Sequence, residues 1–241
     1  VIPFGQASIG WFALAALLAI FILVKIGNWY KRQLALAARR PAVAADTTGP
    51  GLSKRKIRNA LIILGVLVFS KYFYIASMTN YFTFFLMEKF SMSVQGAQYA
   101  LFAFLAASAA GTFIGGPVGD RIGRKYVIWG SILGAAPFTL MLPYAGLTGT
   151  IVLAVIIGLV ISSAFSAILV YATDLMPGKV GMIAGVFFGL MFGLGGLGSA
   201  FFGWLADRTS IEFIFRVSTL LPLLGIITGF LPNIELKRDE K

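Results

Sequence analysis

Gly111-Thr-Phe-Ile-Gly115-Gly-Pro-Val-Gly-Asp120-Arg121-Ile-Gly123-Arg124-Lys125-Tyr-Val-Ile-Trp129 decides how this chain folds. Two long apolar runs, 98–118 and 126–146, meet inside it, and three cations stand in the short stretch between them. Glycine permits the tight reversal that two neighbouring membrane spans need. Asp120 is suited to accept hydrogen bonds from the exposed amides of a helix start, aided by the helix dipole. Arg121, Arg124 and Lys125 are suited to pair with carboxylates or lipid phosphates. The stretch therefore reads as span, tight basic turn, span.

The same pattern extends in both directions. Hydrophobic residues make up 59% of the 241, without counting 28 glycines, and charged residues only 12%. Soluble domains reach about 45–50% apolar with glycine included, and about 25% charged. So much apolar surface with so little charge requires a bilayer as solvent. A span takes about 20 apolar residues. Seven runs qualify: 4–26, 58–87, 98–118, 126–146, 149–173, 181–205 and 212–232. They are continuous rather than alternating, so helices and not barrel strands are expected. The expected class is an all-α membrane protein of about seven transmembrane helices.

With no Cys and no His, thiolate or imidazole metal ligation, Cys nucleophiles and His triads are excluded. No Walker loop or GxSxG motif occurs. Gly193-Leu-Gly-Gly-Leu-Gly198 lies inside a span and lacks the strand–helix context of a dinucleotide loop. No enzymatic activity, cofactor or metal is expected. The net charge of +11 sits in short loops between spans, which suits an anionic lipid leaflet and not nucleic acid.

Lys31, Arg32, Arg39, Arg40, Lys54, Lys56 and their neighbours Arg55 and Arg58, then Arg121, Arg124 and Lys125, then Lys179, then Lys237, Arg238 and Lys241 all fall on one side if the spans alternate. Only Lys89 and Arg208 fall in the opposite loops, fifteen against two. The positive-inside rule puts Val1 outside and Lys241 in the cytoplasm of a bacterial inner membrane. The first run is followed, not preceded, by basic residues, so it reads as a retained span rather than a signal peptide. The organisation expected is a lone span in 1–27, a basic, flexible cytoplasmic linker in 28–57, a six-helix block in 58–232 and a cytoplasmic tail in 233–241. The first residue is Val rather than Met, which suggests the tail of something longer.

Two patterns suggest mechanism. Gly116-Pro-Val-Gly-Asp120-Arg121 closes the third span and Gly203-Trp-Leu-Ala-Asp207-Arg208 the sixth, 87 residues later. Three spans lie between equivalent points, so the copies face opposite sides, as in the 3+3 inverted repeats of secondary transporters. Small residues also recur every fourth position: Gly111, Gly115 and Gly119 after Ala103 and Ala107, and Gly181, Gly185, Gly189 and Gly193. Such stripes let helix backbones approach closely, and a smooth face also permits sliding.

On these residues the chain resembles the major facilitator superfamily. Gly116, Asp120, Arg121, Gly123, Arg124 and Lys125 match the family's loop signature, Gly-x-x-x-Asp-Arg-x-Gly-Arg-Arg/Lys. Ser70-Lys-Tyr-Phe-Tyr74, the run 111–129, Ser163-Ala-Phe-Ser-Ala-Ile-Leu-Val-Tyr171 and Gly203-Trp-Leu-Ala-Asp207 are similar to the fosmidomycin-resistance exporters. The resemblance implies a major facilitator fold in which the chain supplies family spans 6 to 12, with the N-terminal half missing and supplied in cis or in trans. It implies efflux of a small-molecule drug against protons by alternating access. A truncated or partner-dependent membrane subunit with no transport of its own is the competing reading.

Lys71 is the basic residue deepest in a span. A buried cation there is expensive, and a functional role is the default reading. It suits an anionic, phosphonate-like drug, with Tyr74 and Met78 on the same face; the alternative is a side chain that snorkels to the interface. Ser162, Ser166 and Thr173 share a face of the fifth span near Tyr171 and could hydrogen-bond a ligand, or bond within the bundle. Asn80 and Gln98 are expected to be solvated at membrane edges. Asp174 is expected to pair with Lys179, and no carboxylate is placed mid-membrane for proton coupling.

Overall fold

The computed structural model describes residues 12–38 and 51–234. Seven helical stretches follow one another: α1 Phe12–Ala38, α2 Lys54–Phe90, α3 Val94–Ile122, α4 Arg124–Tyr144, α5 Leu147–Leu175, α6 Val180–Ala206 and α7 Ile211–Phe230. The six from α2 onward are long and apolar enough to cross a membrane. They fall on six of the runs read from hydropathy. Helix α1 forms a separate unit and is not among those six; the expected first span begins at residue 4, and residues 1–11 lie outside the described ones. Helix α1 also continues to Ala38, well past residue 28 where a linker is expected, because Leu34-Ala-Leu-Ala-Ala38 are strong helix formers.

Local chemistry sets the ends. Ser53, Ser93 and Ser210 cap α2, α3 and α7, each hydroxyl accepting from the amide three residues on. Between α3 and α4 a single residue reverses the chain: Gly123, at φ 97°, which a side chain would oppose. At the other end Lys89 donates its ammonium to the carbonyls of Pro143 and Ala145, closing the C-terminus of α4.

The second triple of helices repeats the first. Helix α4 turns out of α-geometry at 133–135, and α7 does so at 219–220, before Pro222. At the 87-residue offset the first break falls on 220–222, so the two overlap at residue 220. Helix α3, second in its triple, packs on α5, the first of the other; α6 packs in turn on α2. Helix α7 lies against α2 and α4.

The core has two tiers. One contains Leu64, Val68, Ile128, Ile168, Ala172 and Phe187, toward the end that carries the basic loops. The other contains Met78, Phe82, Phe85, Phe104, Ile157 and Phe215, toward the opposite end. The exposed residues are also apolar, among them Phe113 at 82%, Phe192 at 75% and Phe102 at 69%. An apolar rim around an apolar core is the pattern of a protein solvated by lipid or by further helices.

Candidate functional site

Lys71 lies on α2 between the two tiers: Leu64, Leu67 and Val68 belong to one, Tyr74, Met78 and Phe82 to the other. Its side chain is 1% exposed, and its Nζ has no hydrogen-bond partner among the described residues. It does not snorkel to an interface. Its surroundings are aromatic: Nζ stands 5.6 Å from the centre of the Tyr72 ring and 5.9 Å from that of Phe165 on α5. Ring faces attract a cation but do not replace hydrogen bonds to an ammonium. Phe165 in turn stands 6.2 Å from Phe188 of α6, so three helices meet around the lysine.

One turn further, Tyr74 is completely buried and its hydroxyl has no partner among the described residues. The Ser166 hydroxyl on α5 is also buried and unpaired, facing α3 at Gly116, where a Cβ would stand 3.7 Å from it. Buried polar groups without partners are rare in folded proteins and call for an explanation. Ser162 is buried, 6% exposed. The Thr173 hydroxyl bonds back to the Val170 carbonyl. Tyr171 does not join the lysine: its hydroxyl donates to the Pro232 carbonyl, at the basic-loop end. Asn80 is not simply solvated, since it donates to the Ser199 hydroxyl across 2.8 Å, and Tyr81 donates to the Ser199 carbonyl. Gln98 is exposed.

The loop motif forms a second centre. Arg124 pairs with Asp174 at the end of α5 and lies 3.7 Å from Asp120. Asp174 therefore pairs with Arg124, not with Lys179: a turn of α4 aims the guanidinium at it, whereas Lys179 lies beyond the reversal at Gly178. Asp120 sits in the last turn of α3 and, among the described residues, accepts no backbone amide; its carboxylate lies toward Arg124. Lys125 reaches the Gly229 carbonyl at 3.4 Å. Together these residues bind the ends of α3, α4, α5 and α7. The partners lie 50 and 104 residues away, which no local spacing reveals.

The glycine stripes separate. A Cβ on Gly111 would fall 2.1 Å from the Leu159 carbonyl oxygen, and one on Gly115 1.9 Å from that of Ser163. Those two glycines are the reason α3 and α5 touch backbone to backbone. Gly181, Gly185, Gly189 and Gly193 meet nothing within 4 Å and are exposed. The two stripes thus differ within the described residues: the α3 stripe meets α5, and the α6 stripe faces outward because α2 takes the opposite face, at Gly198. Equal spacing does not name a neighbour.

Comparison with known proteins agrees with this architecture. Residues 62–241 match the Major Facilitator Superfamily model. The fosmidomycin resistance protein of Escherichia coli (strain K12) is 57% identical over 233 residues, 97% of this chain and 57% of that protein. The uncharacterized MFS-type transporter YfnC of Bacillus subtilis (strain 168) is 37% identical over 239 residues, 99% of this chain and 58% of that protein. The chain thus spans less than two thirds of the length of these relatives. No solved structure matches it. The chain belongs to the major facilitator superfamily: it is a multi-pass membrane protein of a transporter family whose members are not enzymes.

Proposed function

We propose that this major facilitator chain is the C-terminal half of an exporter for an anionic, fosmidomycin-like drug. On this reading α2–α7 form one wall of a central cavity, and a second half, in cis or in trans, forms the other. Alternating access is then a rocking of the two halves about a midplane site. One observation carries the reading: a fully buried ammonium with no hydrogen-bond partner among the described residues, halfway along a membrane helix. Such a charge is costly in a bilayer and is retained where it meets a ligand or an ion pathway. Lys71 supplies the charge for a phosphonate, Tyr74 on the same helix offers an unpaired hydroxyl, and so does Ser166, next in sequence to the Phe165 that faces the lysine. Ser162, one turn before Ser166 on α5, is buried as well, and Tyr171 is better read as a brace for the α7 end.

Drug export of this kind runs against proton entry. The described carboxylates, Glu88, Asp120, Asp174, Asp207 and Glu212, stand at or near helix ends, so we assign the coupling group to the other half. The basic-loop end faces the cytoplasm of a bacterial inner membrane by the positive-inside bias. The open stripe Gly181 to Gly193 is the surface on which the other half slides.

Lys71→Ala in the full-length carrier tests the proposal. Expressed in a drug-sensitive strain, it should lose about tenfold or more of the protection against an anionic phosphonate drug, at unchanged protein level in the membrane. Unchanged tolerance and unchanged drug accumulation would remove the site. A subunit without transport of its own is separated by reconstitution: the 241-residue chain alone in proteoliposomes should move no drug, and adding the other half should restore flux.

A further inference from the structure

Two cavities meet at the α3–α4 turn. The first, about 430 Å³, is bordered by Arg121, Arg124, Lys125, Asp174, Tyr171 and Asn233. The second, about 290 Å³, is a groove among α3, α4 and α5, bordered by Gly111, Ile114, Val118, Gly130, Leu159 and Val160. Both are bordered by Ile122 and Tyr126. One is polar and lies at the end of the spans; the other is almost wholly apolar and runs into them.

Charge favours an anion at the polar end. Three cations face two carboxylates, Asp120 and Asp174, and Arg124 is engaged with both carboxylates. Arg121 forms no ion pair among the described residues and is exposed, and Lys125 holds only a carbonyl at 3.4 Å. These two remain for a ligand, beside the positive end of α4. The apolar rim is open: Ile114 is 53% exposed, Ile122 57% and Tyr126 53%. A basic head next to an apolar groove within the membrane-spanning region has the form of one amphiphile.

We propose that this pair of cavities binds an anionic glycerophospholipid, with its phosphate on Arg121 and Lys125 and one acyl chain along the α3–α4–α5 groove. Basic residues at a membrane edge attract anionic headgroups, and burying an acyl chain in a groove between helices replaces loose lipid contact with fixed packing. Because the same loop carries the Arg124–Asp174 bond, a bound lipid ties membrane composition to the ends of four helices.

Native mass spectrometry of the purified chain, in an equal mixture of phosphatidylglycerol and phosphatidylcholine with matched acyl chains, tests this. One phosphatidylglycerol should stay bound per chain, in about tenfold excess over phosphatidylcholine. The double variant Arg121→Gln, Lys125→Gln should abolish that preference. Gly130→Leu should lower retention of both lipids, because a side chain at 130 meets nothing in the protein within 4 Å and extends into the groove. Equal retention of both lipids by the parent, or an unaltered preference in the double variant, would overturn the site. So would displacement of the lipid by an equal concentration of glycerol 3-phosphate, which would mark a soluble anion. The chain has no cysteine, so a Gly130→Cys variant can report a second copy: an efficient disulfide-linked dimer would mean that another chain, not lipid, covers the groove.

Discussion

The two crossings that join the triples, α3 on α5 and α6 on α2, occupy equivalent places in the repeat but are built differently. Gly111 on α3 and Gly198 on α6 stand 87 residues apart. At the first, a Cβ would fall 2.1 Å from a backbone oxygen; at the second, 3.1 Å from the Ala76 methyl. Helix α5 meets the first crossing with Gly158, whose own Cβ position lies 2.7 Å from the Phe104 carbonyl. At the same offset, α2 carries Lys71. So one crossing is locked by a glycine on each helix set against the backbone of the other, and the other crossing has a buried cation in place of one glycine. The repeat supplies the scaffold twice and spends the tight contact once, leaving the second crossing to hold charge.

That difference predicts a steep ranking of mutational effects. The largest belongs to the locked crossing. Gly111→Ala combined with Gly115→Ala should cost about 3 kcal/mol or more of stability, since backbone cannot yield as a flexible side chain does. Unfolding of the purified chain in a denaturing detergent titration checks this. A double variant as stable as the parent would mean that α3 and α5 do not touch backbone to backbone.

The looser crossing should respond less. Gly198→Leu presses on the Ala76 methyl at 3.1 Å and on the Cα and ring of Phe73 at 3.4 Å, looser contacts than those of Gly111 and Gly115, and should cost about 1–2 kcal/mol. The same titration reads it. A cost equal to that of the Gly111/Gly115 pair would erase the distinction between the crossings.

The sequence carries the six spans plainly, because a bilayer leaves hydropathy as the dominant signal. It carries the repeat as well, since Asp120-Arg121 and Asp207-Arg208 mark equivalent helix ends. It also singles out Lys71, because a charge in an apolar run is visible without a structure. Partners are another matter. Asp174 has Lys179 close by in sequence and Arg124 fifty residues away, yet bonds the distant one. Asn80 finds Ser199 across 119 residues. Tyr171 looks like a neighbour of Ser166 along α5 but bonds Pro232 instead. Periodicity identifies a face, while the helix that covers it is fixed by tertiary packing of the whole bundle.

The smallest effect, with the sign reversed, belongs to the open stripe. Gly185 and Gly189 meet nothing within 4 Å, so a methyl on each has no clash to create. In a helix interior alanine exceeds glycine by roughly 0.5–1 kcal/mol, because glycine loses more backbone freedom on folding. Gly185→Ala with Gly189→Ala should therefore leave the purified chain as stable as the parent or stabler by up to about 1 kcal/mol at each site. In the full-length carrier the same pair should reduce drug export, because a methyl every turn roughens the surface proposed to slide on the other half. The two measurements separate the two roles a glycine stripe can have. A stability loss in the isolated chain comparable to that at Gly111 and Gly115 would show the α6 stripe to be packed already, and the asymmetry between the stripes would fall with it.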